Sequence, residues 1–296
     1  MIKIGIIGTE NSHAMAFAKY FNLPEEQTGK QPYDNIRVTA VMGSPESAQK
    51  VAQTAQVQTI CESAEEMAQM VDAVMVVNQK GSAHYENAMP FVKKGMPIFV
   101  DKPFTSDVRQ AKELYAEMQK YGCRVMGGSG LKYVPGVLEA GELAAKFRED
   151  GTFVSASMNF IMVMNSEHDG VFFYAPHLVE MCTAAFGYDI KAVHAIRNGE
   201  KSMIVMAEYE NDTISLHFNR DGLKYATTIY TTKDYYCIDA GFDIFKIYDT
   251  YAYEAGLFAE CILGRQEPLT GEELIRPVEI VAAIEESLRT GARVEV

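Results

Sequence analysis

The chain has 296 residues, 48% of them hydrophobic and 23% charged, and a formal net charge of −13. That length predicts two domains at about 100–200 residues each, with cores large enough to need no covalent staples. The negative charge argues against nucleic acid, whose phosphates are gripped by Lys and Arg. The five cysteines, Cys61, Cys123, Cys182, Cys237 and Cys261, are odd in number and form no CxxC pair. Reduced thiols in a cytoplasmic protein are therefore expected, with no metal site. The start, MIKIGIIG, reads directly as a strand rather than a secretory leader, and no apolar run reaches the roughly 18 residues of a membrane span.

Residues 1–128 alternate short apolar runs with amphipathic stretches. Strands are expected at Lys3–Ile7, Ile36–Met42, Val57–Cys61, Ala73–Val77, Pro97–Val100 and Cys123–Met126. The uniformly apolar Ala73–Val77 is typical of a parallel strand buried on both faces. Helices fit between them: about Asn11–Asn22, with Asn11 or Ser12 as N-cap; Ser44–Gln53, with Pro45 in its first turn; a short one capped by Ser63; His84–Lys94, stopping at Gly95; and Thr105–Tyr121, stopping at Gly122. The fold class is α/β, opening with a doubly wound parallel sheet of Rossmann type.

The second half, 129–296, changes character after a helix at Val134–Arg148. Strand-like segments follow at Thr152–Met164, Ile190–Arg197, Ser202–Tyr209, Thr213–Phe218 and Tyr225–Thr231, with the hairpin signals Asn198-Gly199 and Asp221-Gly222 between some of them. Helices intrude at about Pro176–Phe186, Thr250–Leu263 and Glu272–Thr290. The expectation is an α+β domain with a large open antiparallel sheet covered by helices on one face. The boundary falls at Gly127-Gly128-Ser129-Gly130, a flexible run suited to a hinge.

The first strand ends at Gly8-Thr9-Glu10-Asn11-Ser12-His13. A G-x-G-x-x-G turn lets backbone N–H groups and a helix N-terminus hold a pyrophosphate. Here the first glycine is kept, Glu10 stands at the second glycine position and His13 at the third. The partial match leaves a plain βα turn and a cofactor site equally open. Glu10 would crowd and repel a pyrophosphate unless its side chain swings away. The second strand ends Met42-Gly43-Ser44 and lacks the carboxylate that reads a ribose 2′-OH. Ser44 and Lys50 could instead meet a 2′-phosphate; the alternative is that Ser44 is only a helix N-cap and Lys50 a solvated charge, which is the stronger reading for Lys50.

The stretch Pro97-Ile98-Phe99-Val100-Asp101-Lys102-Pro103 carries the most information. It ends the fifth strand, at the edge where α/β sheets bind ligands. Pro103 biases Lys102 toward an extended conformation. A lysine placed there can act as acid or base.

This segment resembles the Glu-Lys-Pro motif of the Gfo/Idh/MocA oxidoreductases, the glucose–fructose oxidoreductase and inositol dehydrogenase family. The order around it agrees: Asn78, His84, Ala88 and Gly95 precede it, Gly130-Leu131-Lys132-Tyr133-Val134-Pro135 follows it, and Gly170…His177-Leu178-Val179-Glu180 resembles the family's Gly…His-x-x-Asp helix. The resemblance runs in order along the whole chain. It implies that Lys102 contacts nicotinamide and the substrate hydroxyl, and that His177 is a second catalytic or orienting group. Gly8, Thr9, Glu10, Ser12, His13, Ser44, Asn78, His84, Asp101 and Lys102 are then candidate cofactor contacts, and Lys132, Tyr174, His177 and Glu180 candidate substrate contacts. The family's aspartate four residues before that histidine is replaced by Phe173. His84 reads as a helix cap, His168 lies in a loop able to cover a substrate, and His194 and His217 read as structural.

The resemblance assigns 1–128 to dinucleotide binding and 129–296 to substrate binding and oligomerisation. The expected function is NAD(P)-dependent hydride transfer to or from a hydroxyl or carbonyl of a sugar, polyol or related molecule, with a lean toward NADP. A homodimer or homotetramer through the second sheet is expected, because Tyr225–Tyr230 carries apolar or aromatic groups on both faces. The rival, from a different class, is a non-catalytic ligand or nucleotide sensor on a dehydrogenase scaffold, motivated by Glu10, the missing carboxylate and Phe173.

Overall fold

The computed structural model describes residues 1–25, 28–221, 225–239 and 247–296. The chain divides into two compact units, one formed by Met1–Gly128 with Tyr251–Gly271, the other by Ser129–Thr250 with Glu272–Val296. The boundary after residue 128 is thus accompanied by a second feature absent from the sequence reading: a segment near the C-terminus returns to the first unit.

The first unit holds β1 (Ile2–Ile7), α1 (Ser12–Asn22), β2 (Ile36–Met42), α2 (Pro45–Thr54), β3 (Thr59–Ile60), α3 (Ala64–Met67), β4 (Ala73–Val76), α4 (His84–Val92), β5 (Ile98–Asp101), α5 (Val108–Lys120) and β6 (Val125–Gly128). The strands form one sheet in the order β3-β2-β1-β4-β5-β6, all pairs parallel. β1, β4 and β5 sit between other strands, and Ile4, Ile6, Ile7, all of β4 and Ile98–Val100 are buried. The order reverses direction between β1 and β4, which opens a crevice at their carboxyl ends. The returning segment is held by Arg124, which donates to Cys261 O at 2.7 Å and Gln266 O at 2.6 Å, and by Leu269 N–H donating to Val125 O at 2.9 Å. Phe258 adds an edge-on contact to Phe99, 5.9 Å between centroids.

The second unit contains α6 (Pro135–Glu149), β7 (Phe153–Ile161), α7 (Ala175–Phe186), β8 (Ala192–Asn198), β9 (Ser202–Glu208), β10 (Thr213–Asn219), β11 (Ala226–Thr231), β12 (Tyr235–Asp239) and β13 (Val294–Glu295); α8 (Ile247–Ile262) and α9 (Gly271–Thr290) each run across a unit boundary. Its seven strands follow the order β12-β11-β7-β10-β9-β8-β13. The sheet is mixed rather than antiparallel throughout, since β7 and β10 pair in parallel, Ile214 opposite Ala156 and Phe218 opposite Phe160. Period-two alternation shows which side chains share a face, not which strand is the neighbour. Ala156, Met158, Phe160, Met203, Val205, Ala207, Ile214, Leu216 and Phe218 are buried on the face that α6 and α7 cover. On the opposite face Ile196, Ile204 and Met206 remain exposed. The Asn198-Gly199 turn joins β8 to β9, with Gly199 at φ +53. In the Asp221-Gly222 signal, Gly222 lies outside the described residues.

Candidate functional site

In the first unit the chemistry collects at the carboxyl ends of β1, β4 and β5. Gly8 has φ +103, and a Cβ there would overlap the backbone of Asn78, so only glycine permits this approach of β1 to β4. Asn11, not Ser12, caps α1. Its side-chain oxygen accepts from His13 N–H at 3.2 Å, while its amide donates to Val77 O at 3.0 Å and to Asp101 Oδ2 at 3.2 Å. One side chain thus ties together the ends of three strands, a role the sequence reading did not assign to it.

His13 Nδ1 lies 2.6 Å from Asp101 Oδ2, and both residues are nearly closed to solvent. The His13 ring stacks on Phe17 and meets Tyr251 edge-on, 4.3 Å between centroids; Ser12 Oγ is 3.2 Å from the Tyr251 hydroxyl. Burial works against ionisation of Asp101. His13 beside it, with Lys102 and His84, outweighs that penalty and holds the carboxyl below its ordinary range. Lys102 is itself only 6% exposed, and its peptide bond to Pro103 is cis.

His84 does not cap α4. The residue before the helix is Ala83, which makes no side-chain cap, and the His84 ring is fully buried between two carbonyls: Nδ1 is 2.8 Å from Pro103 O and Nε2 is 3.0 Å from Asn78 O. Burial pushes its pKa down, against the pull of Asp101 and both carbonyls. The ring therefore links the end of β4 to the Lys102-Pro103 segment.

Glu10 is exposed, and its carboxylate accepts from Asn78 Nδ2 at 3.3 Å; Asn78 Oδ1 in turn accepts from Asn87 at 3.0 Å. The charge is turned toward the end of β4. At the end of β2, Ser44 caps α2, its hydroxyl 2.8 Å from Ser47 Oγ, which is 2.7 Å from Thr9 Oγ1. A Cβ at Gly43 would overlap Thr9 Oγ1. No carboxylate side chain fits at that position unless Thr9 gives way.

The second unit holds the other candidates. α7 places His177 and Glu180 one helical turn apart, on one face. Glu180 is buried, and its Oε2 accepts from Ser129 N–H at 2.7 Å and from Lys132 Nζ at 3.1 Å. Burial disfavours the charge on Lys132, but Glu180 more than compensates and the ammonium pKa is raised. Lys132 and Glu180, expected as substrate contacts, are thus joined in a buried ion pair, both 4% exposed. In the Gly127–Gly130 run, Gly127 and Gly128 belong to β6, and Ser129 is bonded to Glu180 through its N–H and to His177, whose Nδ1 is 2.7 Å from its hydroxyl. Ser129 was not legible as a site residue, because its neighbours Glu180 and His177 lie about fifty positions away. The His177 ring packs near Phe160 and Tyr174, at 5.8 and 6.2 Å between centroids. Phe173 lies against His168 and Tyr174. His194 and His217 fall on β8 and β10.

The five cysteines are free, and burial pushes the Cys182 and Cys123 thiols up to about 12 and about 11, which leaves them poor nucleophiles. Among the described residues no cluster of three metal-ligating side chains occurs, and no helix is long and apolar enough to cross a membrane.

A parallel sheet ordered 3-2-1-4-5-6, with a glycine turn after its first strand and a lysine at the end of its fifth, has the architecture of a Rossmann unit. Residues 2–129 match the Gfo/Idh/MocA model, described as an oxidoreductase family with an NAD-binding Rossmann fold. Over that domain the chain is similar to the Gfo/Idh/MocA oxidoreductases. Solved structures similar over the whole length include scyllo-inositol dehydrogenase from Lactobacillus casei with bound NAD(H) and scyllo-inositol (TM-score 0.83, 16% identity, covering 100% of this chain and 99% of that one). Myo-inositol dehydrogenase from Lactobacillus casei in complex with NAD(H) and myo-inositol is also similar (0.82, 14%, 100% and 97%), as is a probable dehydrogenase from Thermotoga maritima (0.79, 14%, 99% and 98%). At these identities the likeness is one of fold. No curated protein sequence matches the chain significantly.

Proposed function

We propose that the protein is an NAD(P)-dependent oxidoreductase acting on a CH–OH or carbonyl group of a sugar, polyol or related small molecule. The observation that carries this reading is Lys102 at the carboxyl end of β5, inside a Rossmann unit, next to a carboxylate fixed by His13 and Asn11. The inositol dehydrogenases among the similar folds support the substrate class.

The first unit fits a dinucleotide. Gly8 makes the tight turn, Glu10 has its carboxylate turned to Asn78, and the hydroxyls of Thr9, Ser44 and Ser47 gather at the end of β2. Gly8, Thr9, Glu10 and Ser12 would surround the pyrophosphate, Ser44 the adenosine ribose, and Asn78 with Lys102 the nicotinamide side. Asp101, His13 and His84 act beneath them and hold the turn and the Lys102 segment in place. A bound nicotinamide supplies the hydride chemistry. Lys102 Nζ takes the hydroxyl proton in the oxidising direction and returns it in the reducing one. His177 and Tyr174 orient the substrate oxygen, while Lys132 and Glu180 brace the start of the second unit.

Cofactor choice leans to NADP, because Gly43 is closed to the carboxylate that would bond a ribose 2′-OH and repel a 2′-phosphate. The exposed apolar side chains Ile196, Ile204 and Met206, on adjacent strands β8 and β9, support a homodimer or homotetramer formed through the open sheet. A panel of sugars and polyols, read by absorbance of the reduced nicotinamide, tests the activity. On the substrate it finds, Lys102→Ala is expected to lower kcat/KM by at least about 100-fold; wild-type turnover by that variant refutes the assignment.

A further inference from the structure

We infer that Ser129 is a positioning residue that sets the tautomer of His177: its hydroxyl donates to Nδ1 and keeps the proton of the neutral imidazole on Nε2. The inference rests on the orienting role proposed for His177 and specifies what that ring can offer.

The argument is one of hydrogen-bond accounting. Ser129 is 1% exposed, so its hydroxyl proton has no water to meet. A buried O–H left without an acceptor loses its solvation with nothing in return. The hydroxyl oxygen already accepts from Leu131 N–H at 3.3 Å, and the other atom bonded to it is His177 Nδ1, at 2.7 Å. An imidazole nitrogen that receives a proton donor carries a lone pair, and in the neutral ring the proton then resides on the other nitrogen. The opposite polarity, Nδ1–H donating to Oγ, would strand the serine proton.

The serine is itself held. Its backbone N–H donates to Glu180 Oε2 at 2.7 Å, and Glu180 is anchored by Lys132. Lys132, Glu180, Ser129 and His177 thus form one chain of contacts inside the second unit. The ring plane is further restricted by Phe160 and Tyr174.

The consequence is a division of labour. A neutral ring protonated on Nε2 can act there as a donor and cannot take a proton at that nitrogen. The hydroxyl proton released on oxidation would then fall to Lys102 rather than to His177.

The test is nitrogen NMR of the full chain labelled with 15N-histidine, at about pH 8, above the ordinary imidazole pKa. The His177 signals are assigned by their loss in His177→Asn. The expected wild-type pattern is an unprotonated Nδ1 and a protonated Nε2. Ser129→Ala should shift His177 toward the Nδ1–H form or an average of the two, and Ser129→Thr should restore the wild-type pattern. A wild-type ring with its proton on Nδ1, a doubly protonated ring, or a pattern unchanged in Ser129→Ala would each overturn the inference. The wild-type spectrum decides even where a variant folds poorly. The tautomer is read without substrate or cofactor, so absence of turnover on sugars and polyols would count against the proposed function and not against Ser129.

Discussion

Asp101 Oδ2 and His13 Nδ1 are 2.6 Å apart in a pocket of the first unit where the two residues are 1% and 7% exposed. The carboxylate at the end of β5 is therefore secured by the helix that follows β1, and the third glycine position of the nucleotide turn has become a structural tether. Asp101→Asn removes the charged acceptor of this buried contact and is expected to cost about 1.5–3 kcal/mol at pH 7, measured by urea unfolding. The carboxyl is held below its ordinary range. Its contribution is thus complete above the unfolded value of about 3.9 and is lost as pH falls through the folded one. The gap between wild type and Asp101→Asn should accordingly close below about pH 4. A constant gap from pH 7 to 3 would show that the Asp101 carboxylate is not its source.

Much of the first unit was legible in its sequence. The six strands of its parallel sheet and the caps Asn11, Ser44 and Ser63 follow from apolar runs punctuated by Gly, Ser and Asn, all local signals. What escaped is non-local. Arg124 reaches carbonyls at Cys261 and Gln266, more than a hundred residues away, and no local period records that return. The parallel pairing of β7 with β10 and the strands β12 and β13 escaped for the same reason. In the site, Lys102 and His177 stood out by motif. The partners that fix their surroundings, Asn11, Ser129 and Tyr251, are ordinary residues whose importance comes from what the fold brings beside them.

Lys132 and Glu180 form a buried ion pair, each 4% exposed. Glu180→Ala should destabilise by about 3–5 kcal/mol, because it leaves an ammonium buried without its counter-charge. The double variant Lys132→Met/Glu180→Leu should lose much less than the sum of the single changes. Strict additivity in a double-mutant cycle would contradict the pairing.

Glu10 sits beside the proposed pyrophosphate site with its charge directed to Asn78. Glu10→Gln should tighten NADH and NADPH by a similar factor, roughly fivefold if about 1 kcal/mol of repulsion at around 4 Å in water is relieved. Isothermal titration of both cofactors checks this, and an effect on one alone would place the residue elsewhere.

The position after β2 is closed by Thr9, so Gly43→Asp alone should weaken both cofactors. With Thr9→Gly added, the carboxylate gains room and the preference should move toward NADH. If wild type already binds NADH tenfold tighter, about 1.4 kcal/mol, another carboxylate reads the ribose, and Glu46→Gln is the variant to examine.

The open face of the second sheet makes a separate prediction. Sedimentation should give a mass of two or four chains of 32.9 kDa, and Ile196→Lys or Met206→Lys should shift it toward monomer. A wild-type monomer at micromolar concentration would remove this face as an assembly surface.

The most direct measurement is a fluorescence titration of the full chain with NADH and NADPH at one ionic strength. Saturable binding well below millimolar concentration is expected, with NADPH at least as tight as NADH. Binding of neither cofactor up to millimolar would contradict a nicotinamide-dependent oxidoreductase, and would favour a ligand sensor on the same scaffold.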